Sequence, residues 1–495
     1  MLGMLTRSYG SALPFITVGL LAFLACSDHK EIAATPAAGP DAEPPAMPQA
    51  DSDAPKSFDV AAIDAWVARR VKSLGLVGVS LAIARDGKIV LAKGYGRKSV
   101  AAEGPVTPQT SFAIGSLTKQ FTCASVLLLA EEGKVSLDDK VSKYYPELTG
   151  AADITLDDAL SHRAGYPDYY PLDFVDERMA KATTPEAIVN DYAKKPLDFG
   201  PRAHWSYSNT GFLIAGNVVE KVSGESFGAF VGKRIFAPVG MPHSSLGAKE
   251  LDDVASGHTT FALGETEVAT PEADGWLHAA GGIYASAEDI AKWDLALADK
   301  TVLKPSSFDA MTAPRRLGSG APVTYACGLG VSQRNGETIL HHGGAVSGFL
   351  SQNALLPRTR SAVVLLSNAD HIDGSSIHST ILSLLLSADG GQRTIAVAGP
   401  PPADVARDLL HQMQKGAVDR TRLGEPFSHY LTDARLKAAA PRLAALGEPE
   451  IFVSSVSERG GAENAHLKLV FKTATVWAVL HRSPDGKIQQ FLLTR

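Results

Sequence analysis

The chain has 495 residues, a length that favours two folded units over a single hydrophobic core. Its formal net charge of −6 is small for that length, and the sequence contains no basic stripe. Proteins that bind nucleic acids usually carry such a stripe. We therefore expect no nucleic-acid partner, and the charge indicates no particular ligand.

The first 26 residues have the pattern of an export signal. Arg7 precedes an apolar segment, Ala12 to Ala25, which is shorter than the roughly 20 apolar residues that span a bilayer. Phe23-Leu24-Ala25-Cys26 resembles a bacterial lipoprotein cleavage box, which predicts membrane attachment through a lipid at Cys26. Ser27, the residue after the cysteine, favours sorting of such a lipoprotein to the outer membrane, where the protein would lie on the periplasmic side. The alternative is ordinary signal cleavage, with Cys26 incidental and the protein periplasmic or secreted.

Residues 27–57 follow as a segment rich in alanine, proline and acidic residues. This composition cannot bury a core and is typical of an extended tether. We therefore place the start of the first folded domain at residue 58 and its end at residue 390.

Hydrophobic spacing predicts the elements of that domain. A helix over Val60–Leu74 precedes a hairpin of Val77–Ala84 and Ile89–Tyr95, and a long helix begins at Ser116. After a mixed middle segment, we expect a capped helix from Ser286, and then the elements Gly328–Val331, Thr338–His341, Leu350–Leu356, Ser361–Ser367 (strands) and Ser375–Leu386 (helix). The predicted fold class is α+β, with an antiparallel sheet flanked by terminal helices and a separate helical lobe.

A proline-rich segment at residues 391–402 reads as a linker to a second unit. Residues 403–495 predict two helices, Asp404–Lys415 and Asp433–Leu446, followed by four strands. We interpret this unit as a small α+β module that resembles cystatin and NTF2-like domains, with no catalytic cluster of its own.

The first candidate catalytic motif is Ser116-Leu117-Thr118-Lys119. One helical turn separates Ser116 from Lys119, so both side chains can face one cavity. A lysine against an apolar helix surface has a lowered pKa and can accept the serine proton. Taken alone the motif is weak, because Ser27-Asp28-His29-Lys30 repeats it, and Ser116 could simply be a helix N-cap.

Two further motifs follow in the sequence. Tyr207-Ser208-Asn209 offers a phenol and an amide, although a packed aromatic beside a loop asparagine is the alternative. His342-Gly343-Gly344 begins a stretch that continues to Gly348-Phe349. Its glycines let a ligand approach a strand edge closely. His341 is an alternative to His342 as the functional histidine of this motif. The register with Gly348-Phe349 favours His342. The motif's histidine could also be an ordinary core residue at a strand end.

The order and spacing of these motifs resemble the serine β-lactamase and penicillin-binding-protein superfamily, over roughly Phe58 to Ser387. Within it, the chain is similar to the class-C-like branch of esterases, D-peptidases and β-lactamase-related hydrolases. The resemblance implies a site whose residues are the nucleophile Ser116, the proton carriers Lys119 and Tyr207, the substrate-binding or relay residues Asn209, His342 and Gly344, and an oxyanion hole of the Ser116 and Ala345 backbone N–H groups. It implies no cofactor and no metal. The stretches 162–168 and 279–283 also resemble this branch, and we interpret them as scaffold that shapes the cleft.

One residue departs from relatives that recognise penicillin. Many of them carry lysine where this chain has His342, and that permanent cation holds a substrate carboxylate. Histidine is mostly neutral at pH 7, so we predict that aryl esters are turned over faster than nitrocefin. We also predict that acidification toward the ordinary histidine pKa of about 6.5 adds charge at His342.

Apart from Cys26, the chain contains Cys123 and Cys327. Cys123 follows Lys119 by four residues and is expected in the core as a small apolar residue. An exported protein permits a disulfide, but the sequence cannot place these two cysteines near each other. We expect two free buried thiols.

The leading hypothesis is an exported serine hydrolase that forms an acyl-enzyme on Ser116 and acts on small-molecule esters, amides or D-amino-acid-containing peptides. One alternative is a β-lactamase or D-Ala-D-Ala carboxypeptidase. Another is a non-catalytic cell-envelope binding protein. The oligomeric state is left open.

Overall fold

The computed structural model describes residues 53–102, 104–170, 175–260, 264–334, 336–372, 374–388, 397–459 and 462–494. The predicted export signal, the lipidation residue Cys26 and most of the predicted tether lie outside these ranges. Within them, no helix is both long enough and apolar enough to cross a membrane.

The helices of the described chain are named in order. They are α1 (Val60–Leu74), α2 (Thr118–Glu131), α3 (Leu156–Leu160), α4 (Pro185–Ala193), α5 (Thr210–Ser223), α6 (Phe227–Val231), α7 (Ala237–Val239), α8 (His278–Gly281), α9 (Ala287–Ala298), α10 (Pro305–Thr312), α11 (Ser375–Ala388), α12 (Pro402–Gln414), α13 (Glu425–Tyr430) and α14 (Asp433–Ala444). Short 3₁₀ turns cover Gly115–Leu117, Val141–Lys143 and Arg420–Arg422, and Gly232–Phe236 forms a π-helical turn.

The strands are named in the same way. They are β1 (Gly78–Arg85), β2 (Lys88–Gly96), β3 (Phe112–Ala113), β4 (Ser245–Leu246), β5 (His258–Thr259), β6 (Glu267–Val268), β7 (Ile283–Ala285), β8 (Arg315–Arg316), β9 (Pro322–Val323), β10 (Gly330–Arg334), β11 (Glu337–Val346), β12 (Phe349–Leu356), β13 (Ser361–Ser367), β14 (Glu450–Arg459), β15 (Ala462–Val470), β16 (Thr475–Arg482) and β17 (Ile488–Thr494).

Local sequence explains where the predicted helices begin and end. Asp59 caps α1 by accepting a hydrogen bond from the Ala62 N–H, and Gly75 ends it in the left-handed conformation. Ser286 caps α9 through the Asp289 N–H, as its sequence predicted. The long helix begins two residues later than predicted, because Ser116 lies in the 3₁₀ turn that precedes α2.

The main sheet is antiparallel and has the strand order β10-β11-β12-β13-β1-β2. The N-terminal hairpin thus completes a sheet whose other strands come from the C-terminal end of the domain. Buried side chains of α1 and α11 pack on one face, and those of α2 and α9 pack on the other. The core on the α2 and α9 face continues into a helical lobe that is formed by helices α2 to α6 and α8. The predicted α+β fold of the β-lactamase/DD-peptidase type is therefore confirmed.

The C-terminal segment forms a second antiparallel sheet, β14-β15-β16-β17. Its core is separate and includes Val405, Leu409 and Leu410 of α12, Phe427 of α13 and Leu436 of α14. The small α+β module is present as predicted, whereas its likeness to cystatin or NTF2-like domains stays a prediction.

The two cysteines form a disulfide, so the expectation of two free thiols is wrong. Cys123 on α2 and Cys327 before β10 have Cα atoms 5.8 Å apart. The segment of Cys327 reaches α2 because Gly328 follows it with a positive φ of 71°. A Cβ at Gly328 would lie 2.3 Å from the Lys119 carbonyl oxygen, so glycine permits this approach. The 204-residue separation gave no local sign of the pairing.

Candidate active site

The candidate nucleophile lies on a tightly held turn. Ser116 is the middle residue of the 3₁₀ turn Gly115–Leu117 and is partly exposed to a large cleft. The residue before the turn, Ile114, donates its N–H to the Ile283 carbonyl at 3.0 Å and accepts from the Ser351 hydroxyl at 2.8 Å. These bonds fix the entry of the chain into the turn and hence the position of the serine.

Lys119 lies beneath Ser116 and is fully buried, with 0% of its surface exposed. Its Nζ lies 3.0 Å from Ser116 Oγ, 2.7 Å from Asn209 Oδ1 and 2.7 Å from the Ala280 carbonyl oxygen. Burial lowers the pKa of Lys119 from 10.5 to about 7, while the negative charge of Asp168 opposes the change. A substantial fraction of the protein therefore holds a neutral amine at neutral pH.

The partners of Lys119 determine where its lone pair points. Asn209 Oδ1 and the Ala280 carbonyl oxygen can only accept hydrogen bonds, so they take the two hydrogens of the neutral amine. The lone pair is then directed at Ser116 Oγ. This geometry suits Lys119 to accept the serine proton.

The Tyr207 hydroxyl donates to Ser116 Oγ at 2.8 Å. Burial raises the pKa of Tyr207 above its usual value of 10; the bond to Ser116 opposes this rise, and the charge of Asp168 adds to it. The phenol therefore keeps its proton at neutral pH. The sequence predicted Lys119 and Tyr207 as two proton carriers without assigning their roles. The lowered pKa of Lys119 suits it to act as the base, and the raised pKa of Tyr207 suits it to act as the proton donor.

His162 supports the tyrosine from behind. Its ring centroid lies 4.1 Å from that of Tyr207, and its Nδ1 accepts the Ser208 N–H at 3.1 Å. Burial lowers the pKa of His162 well below its usual value. A neutral ring that packs on Tyr207 and holds the next backbone N–H agrees with the predicted scaffold role.

Asn209 is held by a carboxylate that the sequence had placed only among scaffold residues. Its amide nitrogen lies 3.2 Å from both Oδ1 and Oδ2 of Asp168, and its backbone N–H donates to Oδ1 at 3.0 Å. Because a carboxylate accepts hydrogen bonds, the amide nitrogen faces Asp168 and the amide oxygen faces Lys119. Asp168 thereby fixes the orientation of Asn209.

The strand β11 passes directly beside the nucleophile turn. A Cβ at Gly344 would lie 2.2 Å from the Ile114 carbonyl oxygen and 3.1 Å from Ser116 N, so only glycine allows this approach. A Cβ at Gly115 would lie 3.0 Å from Ala345 N. The Ala345 backbone is therefore next to the turn that carries Ser116, as the predicted oxyanion hole requires.

His342 lines the cleft, whereas His341 lies on the opposite face of the sheet because side chains alternate along β11. His342 Nδ1 lies 2.5 Å from the Gly343 carbonyl oxygen, and Nε2 lies 2.7 Å from the Tyr325 hydroxyl. The carbonyl can only accept, so Nδ1 carries the hydrogen and Nε2 accepts from the phenol. Both ring nitrogens of His342 are thus occupied by protein groups.

The electrostatic setting of His342 corrects one expectation. Burial, and then the charge of Lys119, lower the pKa of His342 from 6.5 to about 3. The prediction that His342 gains charge as the pH falls toward 6.5 is therefore wrong. Its ring stays neutral over the pH range in which Lys119 titrates.

Tyr325 was missed in the sequence because it belongs to none of the three motifs. It is buried, its hydroxyl bonds His342, and its ring centroid lies 4.6 Å from His162 and 6.4 Å from Tyr207. Cys327, two residues later, ties this segment to α2. Tyr325 thus connects the histidine of β11 to the aromatic side chains behind Ser116.

The cleft in front of Ser116 has a volume of about 1350 Å³. Carboxylates line it at three places, Asp168, Asp198 and Asp370. Among the residues that the structure describes along its walls, none is lysine or arginine. The cleft is therefore suited to a positively charged ligand group and not to a carboxylate.

Comparison with known proteins agrees with this geometry. Residues 63–385 match the family model Beta-lactamase. A D-aminopeptidase of Brucella ovis is 28% identical over 322 residues, which cover 63% of this chain and 60% of that protein, so the chain spans about three fifths of its length.

Two solved structures resemble the fold. The octameric penicillin-binding protein homologue from Pyrococcus abyssi has a TM-score of 0.60 and 22% identity, covering 88% of this chain and 100% of that chain. A D-amino acid amidase from Ochrobactrum anthropi, complexed with L-phenylalanine amide, has a TM-score of 0.55 and 26% identity, covering 66% of this chain and 97% of that chain. Because the family model covers more than half of its length, the chain belongs to the beta-lactamase family and is a serine hydrolase.

Proposed function

We propose that the protein hydrolyses amide or ester bonds whose acyl group carries a free ammonium, as in D-amino acid amides and peptides with an N-terminal D residue. The observation that carries this proposal is the placement of Asp168. Its carboxylate lines the cleft and bonds Asn209, which in turn bonds the Lys119 amine beside Ser116. A substrate amine on the carbon atom next to the scissile carbonyl would meet this negative charge.

In the acylation step, Ser116 Oγ attacks the substrate carbonyl carbon while its proton passes to the neutral Lys119 amine. The carbonyl π bond becomes an oxyanion, which the backbone N–H groups of Ser116 and Ala345 stabilise. Tyr207 then gives its proton to the leaving amine or alkoxide and regains one from the Lys119 ammonium. The products of this step are an ester on Ser116 and the free leaving group.

Deacylation uses the same groups in reverse order. A water molecule enters the space left by the leaving group and loses a proton to Lys119, by way of Tyr207, as it attacks the Ser116 ester. The serine oxygen takes a proton back from Lys119 when the acid product departs. This route needs no further carboxylate base, in keeping with the positions of Lys119 and Tyr207 at 3.0 and 2.8 Å from Ser116 Oγ.

Charge distinguishes this proposal from a β-lactamase or a D-Ala-D-Ala carboxypeptidase. In many β-lactamases a permanent cation at the position of His342 holds the substrate carboxylate, and a D-Ala-D-Ala substrate also ends in a carboxylate that the cleft would have to bind. Here His342 is neutral and bonded on both nitrogens, and Lys119 is committed beneath the serine. The names of the relatives, a D-aminopeptidase and a D-amino acid amidase, support the D configuration and the amine-bearing substrate class.

Matched substrates test the proposal. The purified protein should hydrolyse D-phenylalanine amide faster than its N-acetyl derivative, because acetylation removes the ammonium, and faster than L-phenylalanine amide. Asp168→Asn should reduce the preference for the free amine, while Asp198→Asn serves as the control carboxylate. A higher rate on nitrocefin than on any amine-bearing amide would contradict the proposal. A protein that does not react with a fluorophosphonate probe would instead be a binding protein.

We further propose that the enzyme is exported and anchored by a lipid at Cys26. The export pattern of residues 1–26 supports this proposal, and the disulfide between Cys123 and Cys327 suits an oxidising compartment. The native protein should partition into detergent, and Cys26→Ser should release it into the aqueous phase. A mature protein that begins at another residue and stays aqueous would contradict lipidation.

A further inference from the structure

His162 bonds the residues on both sides of Tyr207. Its carbonyl oxygen accepts the Ser206 N–H at 3.1 Å, and its Nδ1 accepts the Ser208 N–H at 3.1 Å. The Tyr207 ring also packs on the His162 ring, with 4.1 Å between the ring centroids. The position of the Tyr207 hydroxyl, 2.8 Å from Ser116 Oγ, therefore depends on where His162 lies.

The backbone of His162 has an unfavourable conformation. Its φ is +59°, in the left-handed region that residues other than glycine rarely adopt. Such a conformation costs free energy and persists only where the surrounding contacts enforce it. The next residue, Arg163, makes contacts of this kind.

Arg163 is buried, and its guanidinium is bonded in three directions. Nε donates to Ser161 Oγ at 2.7 Å, Nη1 donates to the Arg316 carbonyl at 2.6 Å, and Nη2 donates to Asp157 Oδ2 at 2.6 Å. The same Nη2 lies 3.3 Å from Asp158 Oδ1. A lysine could not reproduce this set of bonds, because its ammonium is a single point charge on a flexible stem.

The main chain of Arg163 adds two further bonds. Its N–H donates to the Asp158 carbonyl at 2.8 Å, and its carbonyl accepts the Arg202 N–H at 2.7 Å. Arg163 thus connects three parts of the chain. They are the helix α3, the segment that leads from Arg202 to Tyr207, and, through Arg316, the hairpin of β8 and β9.

The two carboxylates beside Arg163 also bind other cations. Arg315 donates to Asp157 Oδ1 at 2.7 Å, and Arg202 donates to Asp158 Oδ2 at 2.5 Å. Two carboxylates and three guanidinium groups therefore form one ion-pair network. Removal of one partner from a buried ion pair is strongly destabilising, so this network holds the connected segments together.

We propose that Arg163 is a positioning residue for proton transfer, because it holds His162 in place and His162 sets the Tyr207 hydroxyl where it can protonate the leaving group. This role rests on the proposed function only through Tyr207 as the proton donor. Arg163 is not among the described residues that line the cleft, so it acts on the reaction through the residues that it holds. The turn of Ser116 has separate bonds to β7 and β12. Loss of Arg163 should therefore impair protonation of the leaving group more than attack by the serine.

The dependence of the rate on the leaving group tests this role. p-Nitrophenyl acetate and phenyl acetate give the same acyl-enzyme, and kcat/KM reports the step that forms it. Phenol is the weaker acid, so its departure depends more on protonation by Tyr207. In Arg163→Lys, the ratio of kcat/KM for p-nitrophenyl acetate to that for phenyl acetate should rise at least tenfold. Tyr207→Phe is the reference variant and should raise the ratio further.

Arg482→Lys is the matched control. Arg482 is buried in the C-terminal module and bonds Glu463 at 2.6 Å and the Pro400 carbonyl at 2.7 Å, so the change also removes a paired guanidinium. It should lower the midpoint of urea unfolding and leave the ratio at the parent value. Ser161→Ala removes only one partner of Arg163. It should raise the ratio severalfold in a folded protein, even if Arg163→Lys does not fold.

An unchanged ratio in Arg163→Lys and Ser161→Ala, together with a raised ratio in Tyr207→Phe, would overturn the positioning role and leave the proposed function standing. An equal rise in Arg482→Lys would also overturn it, because the effect would then follow from lost stability. A ratio that Tyr207→Phe itself does not raise would overturn both the role of Tyr207 as proton donor and the role of Arg163.

Discussion

Asp168 is connected to Lys119 through a single side chain. The Asn209 amide nitrogen donates to both Asp168 oxygens at 3.2 Å, and the amide oxygen accepts from Lys119 Nζ at 2.7 Å. Burial lowers the pKa of Lys119, and the Asp168 charge limits that decrease. The carboxylate therefore has two effects at once, one on the orientation of Asn209 and one on the protonation of the base.

This connection predicts the pH dependence of acylation. Lys119 must be neutral to accept the serine proton, so kcat/KM on the neutral substrate p-nitrophenyl acetate should rise as pH increases through about 7. Asp168→Asn removes a charge that stabilises the ammonium, so the pKa of Lys119 should fall and the rising limb should move to lower pH. Asp198→Asn, the matched control, should leave the limb in place. A limb that does not move in Asp168→Asn would show that Asp168 acts on orientation alone.

The second prediction concerns the nucleophile. Ser116→Ala should abolish turnover and labelling by a fluorophosphonate, and Lys119→Met should slow labelling by several orders of magnitude. Ser125→Ala is the control, because Ser125 lies buried on the following helix α2 and bonds the Phe121 carbonyl at 2.8 Å instead of a group of the site. Labelling of the Ser116 variant at the parent rate would refute the whole catalytic assignment.

The third prediction concerns Tyr325. Tyr325→Phe leaves His342 Nε2 buried without its donor, which should cost about 1–3 kcal/mol in the free energy of unfolding. It should also lower kcat more than it changes KM, since His342 lies on β11, the strand of the proposed oxyanion hole. Tyr166→Phe is a suitable comparison, because the buried Tyr166 hydroxyl has no partner among the described residues. Equal effects of both changes in urea denaturation and in kcat would contradict a positioning role for Tyr325.

The fourth prediction follows from the neutral His342. Between pH 7 and pH 5, its ring should not gain charge, because its pKa is about 3. The ratio of nitrocefin to p-nitrophenyl acetate turnover should therefore stay constant, while both rates fall as Lys119 becomes protonated. A rise in the relative nitrocefin rate toward pH 5 would show that His342 does charge in this range.

The fifth prediction concerns the disulfide. It closes a loop of 204 residues, so loss of the bond in Cys123→Ala/Cys327→Ala should lower the free energy of unfolding by about 2–5 kcal/mol. Reductant should lower the Tm of the parent protein and leave that of the double variant unchanged. If reductant shifts both proteins equally, the effect does not come from this bond.

Much of the fold could be predicted because local signals were strong. The Arg85-Asp86-Gly87 turn between two apolar runs gave the hairpin of β1 and β2, and helical spacing gave the bounds of α1. The Ser116, Tyr207 and His342 motifs were recognisable since each is a short pattern. The structure brings all three to one cleft.

The remaining features depend on distant parts of the chain. Asp168 bonds Asn209, which lies 41 residues later, and Tyr325 bonds His342, which lies 17 residues later. Neither separation follows the spacing of a helix or a strand, so no sequence pattern predicts these contacts. The pKa of His342 depends on burial, which a motif does not encode. The Cys123–Cys327 pair required the approach at Gly328, which only the fold provides.

The strand order of the main sheet has a consequence for biosynthesis. β1 lies between β2 and β13, with Val79 opposite both Tyr95 and Ser367. A growing chain releases Ser116 long before Ala345, and β1 gains its second neighbour only when Ser367 has emerged. The reactive serine is therefore made early but meets its oxyanion partner late. The site around Ser116 is thus incomplete during synthesis and becomes complete only once the main sheet closes.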